Sequence, residues 1–386
     1  MLSSVRVRGR TGKMAERHGG TQRMMTDRLH RDRPAGMHDA LLDWYDREGR
    51  SLPWRIRPED RARGVRADPY AIWLSEIMLQ QTTVPHATPY WFKFLERWPT
   101  VHDLAGADRE AVMAAWAGLG YYARARNMHA CAIAVSHTLD GVFPSELDAL
   151  RALPGIGDYT ANAIRAAAFD APASVVDGNV ERVIARVFAI ETPLPRAKPE
   201  IKTQAAALAG AGPRPGDYAQ AIMDLGATVC TPRSPACALC PWRPACTAFA
   251  EGRQGELPRK EKKKPKPVRK GVCFHLTRTG PGGEEILLRR RPDSGLLGGM
   301  MELPGTTWTE DPPDAEAIRA AAPSDAAWLS AGEVRHVFTH FQLELEVRTA
   351  HLTGAADAAP GEWVAVERLD EAGLPSVMMK AARLGS

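Results

Sequence analysis

Two sets of side chains in this chain of 386 residues have the type and spacing to do chemistry. The first is Cys230, Cys237, Cys240 and Cys246, spaced C-x6-C-x2-C-x5-C. Thiolates are the usual ligands of iron–sulfur clusters and of structural zinc, so this run can hold one metal centre. Zinc sites usually show two C-x2-C knuckles, whereas here one tight pair stands between wide arms. The ferredoxin run C-x2-C-x2-C-x3-C-P does not fit either. The second set is a pair of carboxylates. Glu76 lies in IWLSEIMLQQT, with Ile72 and Trp73 one turn before it and Leu79 one turn after. Such apolar flanks disfavour the charged form and keep a proton available. Asp177 follows two valines and opens D-G-N-V, directly before the helical pattern NVERVIARVF. A helix N-terminus favours an anion there. Two carboxylates pushed toward opposite protonation states form an acid and a charge stabiliser.

The elements that must position these groups are helical from about residue 37 to 250. AIWLSEIMLQQT, REAVMAAWAGL, ARARNMHACAIAVSHTL and GDYAQAIMDLGATV are apolar at i, i+3 and i+4. Residues 147–168, LDALRALPGIGDYTANAIRAAA, predict two helices around a turn. Gly155 and Gly157 permit the tight turn and a close backbone approach. The first amides of the second helix then suit a phosphate oxygen. Residues 1–36 show no periodicity and read as a disordered extension. Residues 251–270 read as a charged connector without core-forming residues. From Gly271 the texture changes. GVCFHLTRT, EEILLRRR, HVFTHFQLELEVRTAHL and GEWVAV predict strands, and EAIRAAA and VERLDEAGL short helices.

The net charge of +4 conceals two segments, 1–36 and 251–270, that each carry +6 and leave the remainder at −8. Nucleic-acid binding must therefore rest on local basic surfaces and oriented amides. With 44% hydrophobic and 25% charged residues the composition is that of a soluble globular protein. No apolar run is long enough for a membrane span, and no secretory h-region stands near the start. Cys131 and Cys273 are expected to be buried thiols.

Taken in order, these motifs resemble the MutY branch of the endonuclease III-like DNA glycosylases, over roughly residues 37–380. The cysteine spacing is similar to the [4Fe–4S] loop of that superfamily. L-P-G-I-G-x-x-T-A is similar to its helix–hairpin–helix signature, and WLSE-x-MLQQT matches the MutY motif. The resemblance implies a mostly α-helical helix–hairpin–helix glycosylase domain over 37–250, with a [4Fe–4S] cluster on Cys230, Cys237, Cys240 and Cys246. A basic interdomain linker over 251–270 and an α+β MutT-like (Nudix-fold) domain over 271–386 follow. By the same resemblance Glu76 protonates adenine N7 and Asp177 stabilises the C1′ cation. Tyr159 orients them, and Asn179 holds Glu76 and the attacking water. Tyr159 stands where bifunctional relatives carry the lysine that forms a Schiff base. A phenol cannot form that imine, which implies a monofunctional enzyme.

A base inside a duplex must leave the stack before its C1′ can be reached. The resemblance assigns Tyr121 of GLGYYARARN as a wedge, with Arg124 and Arg126 toward phosphates. Gln80, Gln81 and Thr82 border the lesion pair, Gln81 being the intercalating side chain. Trp54 and Arg55 of LPWR lie near the adenine pocket, and Asp224 takes the place of a family carboxylate that contacts the base. RPEDRARGV looks like an insertion beside Arg55. In the second domain RHVFTHFQLEL fits the F-S-H loop, so Phe338, Thr339 and His340 are expected to sense 8-oxoguanine, Thr339 replacing a serine. Nothing after Gly305 matches the acidic Nudix helix that holds Mg²⁺, which implies recognition without pyrophosphatase activity. The whole implies a monomeric, cytoplasmic enzyme, nucleoid-associated if bacterial. It would act on double-stranded DNA and excise adenine mispaired with 8-oxoguanine or guanine. The rival readings are a bifunctional endonuclease III-like enzyme acting on oxidised pyrimidines, opposed by Tyr159 and the second domain, and a lesion-binding or redox-signalling module without catalysis, opposed by Glu76 and Asp177.

Overall fold

A computed structural model describes residues 33–261, 265–292, 295–353 and 360–386. The extension expected at the start falls outside them up to residue 32, and residues 33–36 already belong to the first helix. The chain forms two compact units. One combines the residues up to Gln81 with Ala134–Glu261, and the other combines Thr82–Ile133 with the residues after Glu261.

The first unit is helical. Its helices are α1 (Arg33–Glu48), α2 (Pro58–Ala62), α3 (Pro69–Leu79) and, after an excursion into the second unit, α8 (Leu147–Arg151), α9 (Asp158–Phe169), α10 (Gly178–Val187), α11 (Lys198–Ala209), α12 (Pro215–Asp224) and α13 (Thr247–Ala250). The second unit holds α4 (Val84–Arg97), α5 (Val101–Ala105), α6 (Arg109–Trp116) and most of α7 (Ala123–Thr138). Helix α3 starts where Asp68 accepts a hydrogen bond from the Tyr70 amide and Pro69 fills the first helical position, where a missing N–H costs nothing. Ile72, Trp73, Leu74, Ile77 and Met78 are all buried, so the helix is apolar nearly all round, as suits an element inside a domain. Each such side chain is worth about 1.5–3 kcal/mol of burial. The helix packs on α9, which packs on α12. Between α8 and α9 the chain turns at Gly155, whose φ of +76° a side chain would strain. Gly157 is extended and a Cβ there would meet nothing within 4 Å, so its missing side chain leaves space at the start of α9.

The insertion at 57–65 forms α2. Its Arg61 is nearly buried and reaches Asp217 at 3.3 Å and Asp170 at 3.8 Å. The connector was expected to carry no core-forming residue, yet Leu257 is buried and its carbonyl accepts a hydrogen bond from Arg186. An apolar residue inside a charged run has found a place in the core of the first unit.

The C-terminal part of the second unit is a mixed sheet of β1 (Val268–Gly280), β2 (Gly283–Arg290), β3 (Met301–Glu302), β4 (Leu329–Val337), β5 (Gln342–Leu352) and β6 (Glu362–Ala365). The order is β3-β2-β1-β5-β4, with β6 also paired to β2. Strands β1 and β5 run parallel, from Val268 opposite Gln342 to Arg278 opposite Leu352. The other pairings are antiparallel. Helix α14 (Ala315–Ala321) buries no side chain, whereas α15 (Ser376–Gly385) packs on β4, β5 and β1. The long strand expected from HVFTHFQLELEVRTAHL is two strands, broken by a turn at 338–341. VERLDEAGL forms a 3₁₀ turn over Val366–Glu371 rather than an α-helix.

Candidate active site

Glu76, Asp177, Tyr159 and Arg55 are brought together in the first unit. Glu76 is half-buried on α3, and among the described residues its carboxyl makes no hydrogen bond. Burial is the main cause that raises its pKa, to about 7, with Asp177 adding and Arg55 opposing. Asp177 caps α10. Its Oδ1 accepts from the amides of Asn179 (2.9 Å) and Val180 (2.7 Å), and its Oδ2 from the Asn179 side chain (2.9 Å). In all three bonds the Asp177 side chain is the acceptor. Tyr159 projects from α9 and donates to the sulfur of Met223 at 3.5 Å. Burial, then the negative charges of Glu76 and Asp177, push its hydroxyl well above the usual phenol range, so it holds its proton.

Asn179 does not hold Glu76. Its amide nitrogen goes to Asp177 and its carbonyl oxygen accepts from Arg182 at 3.0 Å. Arg182 also donates to the carbonyls of Gly226 and Cys230, both at 2.7 Å. A Cβ at Gly226 would stand 2.7 Å from that of Asn179, so glycine is required where the π-helical turn Leu225–Val229 passes α10. Neither Arg182 nor Gly226 was singled out from the sequence. Only NVERV and DLGAT carry them, and nothing local marks their meeting.

Asp224 ends α12 with no exposed surface. Arg55 donates to both its oxygens (2.8 and 2.9 Å), and Arg50 donates its Nε and its own amide (2.8 Å each). The carboxylate expected at the base therefore lies beneath two arginines. Hydrogen bonds from both arginines hold it below the usual carboxylate range against the opposing effect of burial. Trp54 is buried in the same loop. Gln80 ends α3 half-buried and donates to Thr160 at 3.2 Å. Gln81 is exposed with φ +56°, a left-handed backbone that a non-glycine residue adopts at a cost.

In the second unit Tyr121 is 55% exposed, also left-handed at φ +50°. Arg124 does not reach outward. It is buried and donates to the carbonyls of Leu119 (2.9 Å) and Gly120 (3.1 Å) and to Thr82 (3.2 Å). Its guanidinium stacks on Trp116, with its pKa lowered by burial to about 10. It shapes the turn that presents Tyr121, while Arg126 lies half-buried on α7. Thr339 and His340 are exposed at the tip between β4 and β5. Phe338 is half-buried, stacked on Phe341 and Trp308.

The four cysteines line one cavity, walled by Val183, Leu225, Val229 and Trp242. Among the described residues, no three His, Cys, Asp or Glu side chains are arranged to hold a metal ion. Arg186, 2% exposed, donates to the sulfur of Cys230 at 3.3 Å and spends its other donors on carbonyls. Trp242 anchors the loop by donating to the Met37 carbonyl at 2.7 Å. Burial raises the thiols of Cys237, Cys240 and Cys246, Cys240 to about 12, so four thiolates require positive charge between them. An apolar cavity with four sulfurs and a buried cation fits a thiolate-ligated cluster.

Residues 74–207 match the HhH-GPD superfamily base excision DNA repair proteins, and residues 278–384 match the NUDIX domain. An adenine DNA glycosylase of Homo sapiens is 36% identical, over 89% of this chain and 73% of its own length. The chain belongs to the adenine DNA glycosylase family. The adenine DNA glycosylase of Mycolicibacterium smegmatis is 43% identical over 53% of this chain and 69% of its own. A thermostable thymine-DNA glycosylase shares the helical fold, with a TM-score of 0.50 and 27% identity over 58% of this chain and 99% of that one. The glycosylase is thus an enzyme that removes adenine from DNA in base excision repair, built from an endonuclease III-like helical part and a Nudix-like α+β part. No helix among the described residues is long and apolar enough to cross a membrane.

Proposed function

We propose that this glycosylase extrudes adenine from opposite 8-oxoguanine or guanine in duplex DNA and hydrolyses its N-glycosidic bond without cutting the strand. Glu76 carries the reading. It is a carboxyl without a protein hydrogen bond among the described residues, with a pKa of about 7, beside Asp177 and Tyr159. An acid half-protonated near neutral pH is suited to deliver a proton to a leaving base, here adenine N7. Bond breaking leaves positive charge at C1′, which Asp177 stabilises until water attacks. Tyr159 offers a firmly held phenol proton and no amine, so no imine with the sugar can form. Gln81 and Tyr121, both exposed and left-handed, are suited to fill the gap left by the base. Thr339 and His340 read the opposing purine, and the turn stacked through Phe338 holds them. Cys230, Cys237, Cys240 and Cys246 would hold a [4Fe–4S] cluster, which supplies a structural crosslink for the loop carrying Arg233 and Arg243.

The test is base release from duplexes carrying A opposite 8-oxoguanine, guanine or thymine, read with and without alkali. Release from the first two, with strand breaks only after alkali, is expected. Breaks without alkali, or equal release opposite thymine, would overturn the proposal.

A further inference from the structure

The turn at 338–341 is tied to the end of the connector. Lys266 donates its Nζ to the Phe338 carbonyl at 2.6 Å, and the Gln342 amide donates to the Pro267 carbonyl at 2.9 Å. The turn closes on itself through the Phe338 amide and the Phe341 carbonyl at 2.9 Å. Arg269, exposed at the start of β1, lays its guanidinium over Phe341 at 4.5 Å. Phe341 stacks on Phe338 at 4.8 Å and Phe338 on Trp308 at 5.8 Å. The tip therefore rests on an aromatic stack with a cation at its edge.

These two cations differ from five arginines in or beside the sheet, while Arg290 on β2 donates to the Gly299 carbonyl. Arg278 pairs with Glu285, Arg289 and Arg291 with Glu302, Arg335 with Glu333 and Arg348 with Glu346. Among the described residues no carboxylate pairs with Arg269 or Lys266. Each is nonetheless held in place, one by the ring beneath it and the other by a carbonyl. A guanidinium stacked by its face keeps its N–H donors free at its edge, and an ammonium with one donor spent keeps two.

We propose that Lys266 and Arg269 bind phosphates of the DNA strand whose base meets Thr339 and His340. The end of the connector would thereby belong to the DNA-binding surface. This rests on the reading that the 338–341 turn faces DNA. Such contacts position the strand without reading sequence, so they add affinity equally to lesion and non-lesion duplexes, whereas the tip supplies the difference.

Binding of the full chain is titrated between about 50 and 200 mM salt. The two duplexes carry a non-hydrolysable 2′-fluoro adenosine opposite 8-oxoguanine or guanine. Each phosphate contact contributes about 0.9 to the log–log salt slope. Lys266→Gln and Arg269→Gln are therefore each expected to shrink the loss of affinity over this range by about 3.5-fold, and the double variant by about 12-fold, alike on both duplexes. Arg269→Lys keeps the slope. Thr339→Ala changes the ratio between duplexes and leaves the slope alone. A wild-type slope in Arg269→Gln and in the double variant, with unchanged thermal melting, overturns the proposal. So does a change confined to the 8-oxoguanine duplex, which would make the cations lesion readers. An unchanged ratio in Thr339→Ala would defeat the lesion-reading tip, while an altered slope would still support the phosphate contacts.

Discussion

Asp224→Asn isolates one charge in the adenine glycosylase and should move the proton on Glu76. Asp224 is fully buried and accepts four hydrogen bonds from Arg50 and Arg55. Arg55, whose side chain is 8% exposed, also acts by charge on Glu76 and on Tyr45. Glu76 in turn faces Asp177 and Tyr159. Asparagine keeps the volume and drops the charge, so Arg55 is left uncompensated and favours the Glu76 carboxylate. The sign follows: Glu76 is an acid only while protonated, its contribution is present below about pH 7 and lost above it, and the variant loses it earlier. For scale, two unit charges at an illustrative separation of about 6 Å and an effective dielectric of about 20 interact by about 2.8 kcal/mol. A shift of one pH unit, about 1.4 kcal/mol, is then a conservative expectation. At pH 8 the protonated fraction drops from about one-tenth to about one-hundredth, so single-turnover adenine release slows about tenfold, while at pH 5 the two enzymes agree within about twofold. Arg55→Gln removes the cation and should move the same limb upward, and Arg55→Lys should hold it in place. Limbs that stay put in both Asp224→Asn and Arg55→Gln, or that move in the same direction, refute the electrostatic reasoning.

Glu76 should also cost stability. Its folded pKa of about 7 lies above the ordinary 4.5, so folding loses free energy as pH rises between those values. Glu76→Gln is expected to melt above wild type at pH 8, by on the order of 2–3 kcal/mol, and to show no gain at pH 4.5; equal melting at pH 8 would contradict this. Cys240→Ser should remove the visible absorption of an iron–sulfur centre from purified protein and open the 230–246 loop to protease. Full absorption in the variant would strike Cys240 from the ligand set.

Features encoded by local spacing were legible. Apolar positions around Glu76 announced a buried helix, D-G-N-V announced a capped one, and four nearby cysteines were bound to face one another. What escaped was set by distant partners. Arg55 and Asp224 lie 169 residues apart, and neither segment alone shows that the acid sits beneath the arginines. Arg124 looked like an outward cation, but the carbonyls of the preceding turn and the Trp116 ring hold it inside. Asn179 was read toward Glu76, although the nearest carboxylate is the one that caps its own helix. The strand run around Phe338 carried continuous β-propensity, whereas the turn there is held by aromatic packing with Trp308 and Phe341 and by hydrogen bonds from Lys266 to the Phe338 carbonyl and from the Phe338 amide to the Phe341 carbonyl.

The two-carboxylate site stands or falls on Glu76→Gln and Asp177→Asn, each measured for single-turnover adenine release and for binding to the A:8-oxoguanine duplex. Both should bind with wild-type affinity while release falls by about 10²–10⁴ or more. Release within tenfold of wild type by either variant, with binding intact, would show that the proton and the charge come from elsewhere.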